Sequence, residues 1–318
     1  MTEDNAEPQR FRLVALDIDG TLLDPHERLT PRTLNAVRAV ELVGVTVALA
    51  TSRRWTSAAP FAGRLWPPTD GDDGAVAPAM PTHTLILCDG ALIRSYPDGE
   101  LLQATLLPAA VAQAAAETLA RHGLPVKAQY AASDDATADY VVADVNPAHP
   151  EWSSTYLHDY HRQTTFAPID ELCAGRPDAL RLRAFGPTAQ LHTLADELAS
   201  LGCGSQIISN DMYAIGEMMV FAANASKGAA LAWLAERLGV APAETLAIGD
   251  GVNDVSMLRF AGLGVAMGNA IPAALAAADV VTAPNTADGV AEALDRYILT
   301  PEWTAHTLVG RQKSPHRV

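Results

Sequence analysis

The strongest constraint on the fold is an alternation that fills both ends of the chain and breaks off in the middle. "LVALDI" (13–18) and "VTVALA" (45–50) are apolar runs of strand length with a helical pattern between them. Thr30 can N-cap that helix with Pro31 at its first position, Leu34, Val37 and Val40 recur at three-residue spacing, and Gly44 stops it. Toward the other end, Ser226 can cap a helix carrying Leu231, Leu234, Ala235 and Leu238 on one face and closed by Gly239. "TLAIGD" (245–250), "GVAM" (264–267) and "DVVT" (279–282) then read as short strands separated by helices. Apolar strands alternating with amphipathic helices predict a parallel sheet covered on both faces.

The middle obeys other rules. "LIRSY-PDG-ELLQATLL", from residue 92, predicts a hairpin with a Pro-Asp-Gly turn. A helix over 108–122 ends at Gly123, and "VKAQYAA", "YVVADV" and "ALRLRAF" read as strands. A helix over 188–201 and the strands "SQIIS" and "MYAIGEMMVFA" complete the segment. The fold class expected is α/β: a Rossmann-like, doubly wound parallel sheet with an inserted α+β domain. The expected division is 10–91 and 220–300 for the core, 92–219 for the insertion, and flexible tails at 1–9 and 301–318. Residues 66–83, rich in Pro, Gly and Asp, read as a mobile loop.

Composition narrows the function classes. A chain of 318 residues, 49% hydrophobic and 19% charged, suits a globular protein of two domains. No apolar run approaches the roughly 20 residues that span a bilayer, and the N-terminus lacks the pattern of a signal peptide. A cytoplasmic protein without a membrane partner is expected, as a monomer or small homo-oligomer. Cys88, Cys173 and Cys203 form no CxxC pair and are expected as buried free thiols. The net charge of −15 argues against a nucleic-acid partner. It also requires a local positive centre if the protein handles anions.

Ligands of open parallel sheets bind beyond the carboxyl ends of the strands. Asp17 and Asp19 lie at such an end, Thr51, Ser52 and Arg53 at a second, and Asp250, Asn253 and Asp254 at a third, while Lys227 opens a helix. Each fragment alone reads as a turn or cap. Together they read as a site, because neighbouring carboxylates repel unless a cation lies between them. Asp17, Asp250 and Asp254 offer hard oxygen ligands suited to Mg²⁺. Lys227 and the backbone amides near Thr51 offer the positive centre for an anion. Elsewhere, His149, His158 and His161 read as solvated or core-edge side chains rather than a second metal site, and Met218 with Met219 as strand packing.

Four ordered segments carry a resemblance to a known family: "DIDGTLLD", "LATSRR", "NASKGAALAWL" and "IGDGVNDVSML", followed by "VAMGNA" and "DGVAEAL". The sequence resembles the haloacid dehalogenase superfamily, and within it the Cof-like phosphatases with a large α+β cap of the C2 type. The resemblance implies Mg²⁺-dependent hydrolysis of a small phosphorylated metabolite, a sugar phosphate or related ester. It implies Asp17 as nucleophile, forming an aspartyl-phosphate, and Asp19 as general acid and base that also offers its carbonyl to the metal. It further implies Asp250 and Asp254 as metal ligands, Asp254 directly or through water, and Thr51, Ser52, Lys227 and Asn253 as phosphate-binding residues. Arg53 and Asp89 are further candidate substrate contacts.

This chain departs from the family pattern in three places. Ser52 stands where the family carries Gly, Arg54 where many members carry Pro, and Asp89 where the "CDGAL" turn resembles one with Asn. Asp89 therefore either points away from the phosphate or sits close to the metal, and a plain turn residue is the simpler reading. The alternatives to hydrolysis are phosphoryl transfer, as in a phosphomutase, and a catalytically silent ligand-sensing relative.

Overall fold

The structure is a computed structural model that describes residues 11–67, 83–131, 140–143, 164–177, 179–210 and 215–300. The chain forms two compact units, Met1–Val47 with Ala235–Val318, and Ala48–Leu234. The expected tails, the centre of the 66–83 loop and the three histidines of 149–161 lie outside the described residues.

The first unit contains the parallel strands β1 (Leu13–Leu16), β12 (Thr245–Gly249), β13 (Leu263–Ala266) and β14 (Val280–Val281), in the order β14-β13-β12-β1. Every residue of β1, β12 and β13 is buried, which is why these strands are apolar on both faces rather than at alternate positions, with Thr245 the polar exception. The order continues with β2 (Thr46–Ala50), which the chain carries from the first unit into the second. The helix Pro31–Leu42 starts as its sequence predicts: the Thr30 side chain accepts a hydrogen bond from the Thr33 amide at 3.1 Å. Its buried face is Thr33, Ala36, Val37 and Val40, and Leu34 is only half-buried. Thr33 takes the inner place because its hydroxyl donates to the Asp288 carboxylate at 3.3 Å. In the helix Lys227–Leu238, Leu231, Leu234 and Ala235 are buried as expected. Leu238, expected on the same face, is exposed where the helix runs out into Gly239.

In the second unit β2 pairs in parallel with β3 (His83–Leu87), and β3 pairs antiparallel with β4 (Leu92–Tyr96), itself antiparallel to β5 (Leu101–Ala104). These complete an eight-stranded sheet. A second sheet contains β6 (Val126–Tyr130), β7 (Tyr140–Ala143), β8 (Thr164–Ala167), β9 (Ala179–Gly186), β10 (Cys203–Asn210) and β11 (Ile215–Ala222), in the order β10-β11-β9-β6-β7-β8. The sequence division placed 92–219 in the insertion, yet β4 and β5 belong to the first sheet and β11 to the second. The tight turn at 88–90 folds the chain straight back along β3, so 92–96 pairs with the strand before it.

The second sheet has two unlike faces. Val126, Ala128, Leu180, Leu182, Ala184, Met218 and Val220 share one of them by register. The helix Thr188–Ser200 covers this apolar face: a Cβ added at Gly216 would lie 3.0 Å from Leu191 Cδ1. The opposite face carries Lys127, Gln129, Arg181, Arg183, Glu217 and Met219 together with Phe185 and Phe221.

Candidate active site

In the first unit the turn after β1 and the turn after β12 emerge at the same sheet edge, because the strands are parallel neighbours. The Asp17 amide still donates to the Ile248 carbonyl at 3.0 Å, so Asp17 extends the ladder by one step and is buried. Asp17, Asp250 and Asp254 bring one carboxylate oxygen each to within 4.8 Å of one another. Asp254 is fully buried, and its Oδ2 accepts from the amides of Asp250 at 2.9 Å and Gly251 at 2.8 Å. Thr21 donates to Asp250 Oδ1 at 3.2 Å. Gly20 has φ +81, and a Cβ there would meet Asp250 Oδ2 at 2.3 Å, so glycine is needed for both backbone and space. Asn269 Nδ2 donates to the Gly20 carbonyl at 2.8 Å and to Asp250 Oδ2 at 3.4 Å, and its Oδ1 accepts from the Asn285 amide at 2.8 Å. Three converging carboxylates held this way fit a hard divalent cation. Asp19 is exposed at this end, and Asn253 is half-buried beside the Asp254 turn.

In the second unit the residues after β2 and β3 also share an edge. Thr51 is fully buried, its amide donates to the Ile86 carbonyl at 2.8 Å, and its hydroxyl accepts from the Arg53 amide at 3.1 Å. The Asp89 amide donates to the Thr51 carbonyl at 3.1 Å, and that of Cys88 to the Arg53 carbonyl at 3.0 Å. Cys88 and Asp89 both have positive φ, 51 and 59. At Gly90 a Cβ would lie 2.1 Å from the Ser226 carbonyl oxygen, so only glycine lets this turn approach the start of the helix where Lys227 sits buried.

Asp89 lies in the 88–90 turn, as the simpler reading had it, with its side chain buried. Its Oδ2 accepts from Arg181 NH1 at 3.1 Å, and both side chains are nearly buried. The same guanidinium donates through Nε to Gln129 Oε1 at 2.8 Å and through NH2 to the Ser52 carbonyl at 3.3 Å. The sequence reading missed Arg181, Gln129, Thr21 and Asn269. "ALRLRAF" did contain a signal, since Arg181 and Arg183 alternate with apolar residues and so define a polar sheet face. Met218 is strand packing as expected, while Met219 faces the charged side with Arg181 3.9 Å from its sulfur. The three cysteines are free and buried, and burial raises the Cys203 thiol pKa.

A mostly parallel sheet with carboxylates at its strand ends and an inserted α+β segment defines a class of hydrolase folds. The chain belongs to the haloacid dehalogenase-like hydrolase family, whose model matches residues 14–294. The "HMP-PP phosphatase" of Serratia proteamaculans (strain 568) is 31% identical, over 82% of this chain and 85% of that protein. The "Endoribonuclease YBEY, chloroplastic" of Arabidopsis thaliana is 27% identical over 91% of this chain, which spans only 47% of that protein's length. Among solved structures, the HAD subclass IIB sugar phosphatase BT4131 superposes with a TM-score of 0.67 at 23% identity, covering 90% of this chain and 98% of that one. Among the described residues no helix is long and apolar enough to cross a membrane.

Proposed function

We propose that this protein is a Mg²⁺-dependent phosphatase that hydrolyses the phosphate monoester of a small metabolite through an aspartyl-phosphate. The observation that carries the reading is the convergence of Asp17, Asp250 and Asp254 on one sheet edge. Family membership and the phosphatase names of the relatives support it.

Asp17, fixed to the β12 ladder by its amide, presents its carboxylate as nucleophile. A carboxylate oxygen of Asp17 bonds to phosphorus as the ester O–P bond breaks. The exposed Asp19 delivers its proton to the departing alkoxide. In the second half, Asp19 takes a proton from water while the water oxygen bonds to phosphorus and the Asp17 O–P bond breaks, releasing phosphate. Asp17, Asp250, Asp254 (directly or through water) and the Asp19 carbonyl would hold Mg²⁺. When bound, Mg²⁺ supplies positive charge against the transferring phosphoryl group. Thr51, the Ser52 amide, Lys227 and Asn253 neutralise and orient the phosphoryl oxygens. The α+β insertion selects the leaving group.

Asp17→Asn tests this directly. It should reduce phosphate release below detection while the melting temperature stays near that of wild type, since the amide keeps the side-chain volume. Near-normal turnover in that variant would remove Asp17 as nucleophile.

A further inference from the structure

The 51–53 loop, to which the phosphatase reading gives the phosphoryl group, is gripped by one side chain of the second sheet, and every residue involved belongs to the second unit. Of the loop's three consecutive carbonyls, the turn at 88–90 takes two: the Asp89 amide donates to Thr51 and the Cys88 amide to Arg53. The Ser52 carbonyl between them accepts from Arg181 of β9, 129 positions along the chain. On the other side of that same peptide, the Arg53 amide donates to the Thr51 hydroxyl at 3.1 Å. The peptides before and after Ser52 are therefore both held in place. Among the described residues, the Ser52 amide itself has no acceptor.

Arg181 is fixed in its turn. Its Nε donates to Gln129 and its NH1 to Asp89, so all three guanidinium nitrogens are engaged. A planar group held at three corners has one orientation. Arg181 is 7% exposed, Asp89 8% and Gln129 2%. Stability is a weak reason for such a buried ion pair, since apolar side chains of similar volume pack without the desolvation cost. Apolar side chains could not donate to a loop carbonyl. Asp89 serves both ends of the arrangement: its amide holds the peptide before Ser52, and its carboxylate holds the arginine that grips the peptide after it. Ser52 and Asp89, two of the positions at which the chain departs from the family pattern, thus meet on one side chain.

We propose that Arg181, with Asp89 behind it, is a positioning residue for phosphoryl binding, fixing the 52–53 peptide so that the Ser52 amide is aimed at a phosphoryl oxygen. This rests on the phosphatase reading and adds to it the device that orients one of its donors. Arg181 touches no substrate in this role and acts through the backbone of Ser52.

The test titrates the isotope-labelled full chain with inorganic phosphate in the presence of Mg²⁺, follows the Ser52 amide by NMR, and measures inhibition of aryl phosphate hydrolysis by the same phosphate. In wild type the Ser52 amide resonance should move as phosphate saturates. Arg181→Lys keeps a positive charge beside Asp89 without the fork, and Arg181→Met keeps only the length. Each should lose most of that movement and raise the inhibition constant for phosphate by about tenfold or more, the scale on which a misplaced binding group tells. Their kcat/KM for the aryl phosphate should fall at least as far, since the donor acts most strongly on the transition state. Leu182→Val, on the same strand but on its apolar face, is the control for stability. It should lower the melting temperature yet leave phosphate inhibition within about twofold of wild type, because it shares no partner with Arg181. Arg181 variants that keep both the movement and the wild-type inhibition constant overturn the proposal. So does a Leu182→Val enzyme that loses phosphate affinity as they do, which would make the effect one of stability. A wild type that hydrolyses the aryl phosphate while its Ser52 amide ignores phosphate overturns the proposal and leaves the phosphatase reading standing. A wild type that does neither overturns both.

Discussion

At the scale of single residues, the carboxylate cluster is shaped by residues that never touch a substrate in the reading above. Gly20 leaves room for Asp250, Asn269 ties the Gly20 carbonyl to the same carboxylate, and two amides fix one oxygen of Asp254. Asp250 and Asp254 can sit this close because the fold arranges hydrogen bonds to both carboxylates. Lys127 is the opposite case, a charge the fold disfavours. Between its lowered folded pKa and 10.5 the unfolded chain holds a proton that the folded chain does not. Lys127 therefore adds a stability term that grows as pH rises through that window and is lost as pH falls toward the folded value. Urea unfolding of wild type and Lys127→Met from about pH 7 to pH 10 should show the difference, wild type minus variant, increasing with pH. A difference flat across that range contradicts the burial of a destabilised ammonium.

The turn at 88–90 shows the same logic one level up. Two consecutive left-handed residues and a glycine reverse the chain onto β3, and the reversal delivers Asp89 to an arginine 92 positions away. Removing the carboxylate leaves a nearly buried guanidinium short of its countercharge. Asp89→Asn should cost about 1.5–3 kcal/mol of stability, the range for hydrogen bonds to charged groups. Combined with Arg181→Met it should cost clearly less than the two single changes summed, and strictly additive unfolding energies would rule the coupling out. The elements legible in the sequence were those whose signals are local: the Thr30 cap, the Gly44 and Gly239 stops, and the fully buried strands β1 and β12. The hairpin 92–104 was legible as a hairpin but not as part of the first sheet, since strand partnership is set by what packs beside it. The Asp89–Arg181 pair was hidden for the same reason: sequence reports a carboxylate in a turn, not the distant strand that meets it.

For the whole molecule, the parallel strands β1, β12, β13 and β14 follow from continuous apolar runs separated by helices, and the family model spans nearly all of the described chain. The acidic cluster was equally legible, because parallel strands must deliver their carboxyl ends to one edge and Asp17, Asp250 and Asp254 stand at such ends. What the linear pattern did not carry was which side chains of β6, β9 and β11 meet, since only the register of the second sheet brings them together. The central claim is metal-dependent phosphate release, and its most direct measurement is phosphate liberated from a panel of small phosphate monoesters across a Mg²⁺ titration, with a chelator arm, for wild type and Asp250→Ala. Wild type should release phosphate only with Mg²⁺, and Asp250→Ala should lose activity by orders of magnitude and need far more metal. Release that persists in chelator, or an Asp250→Ala enzyme with an unchanged Mg²⁺ titration, would contradict the account.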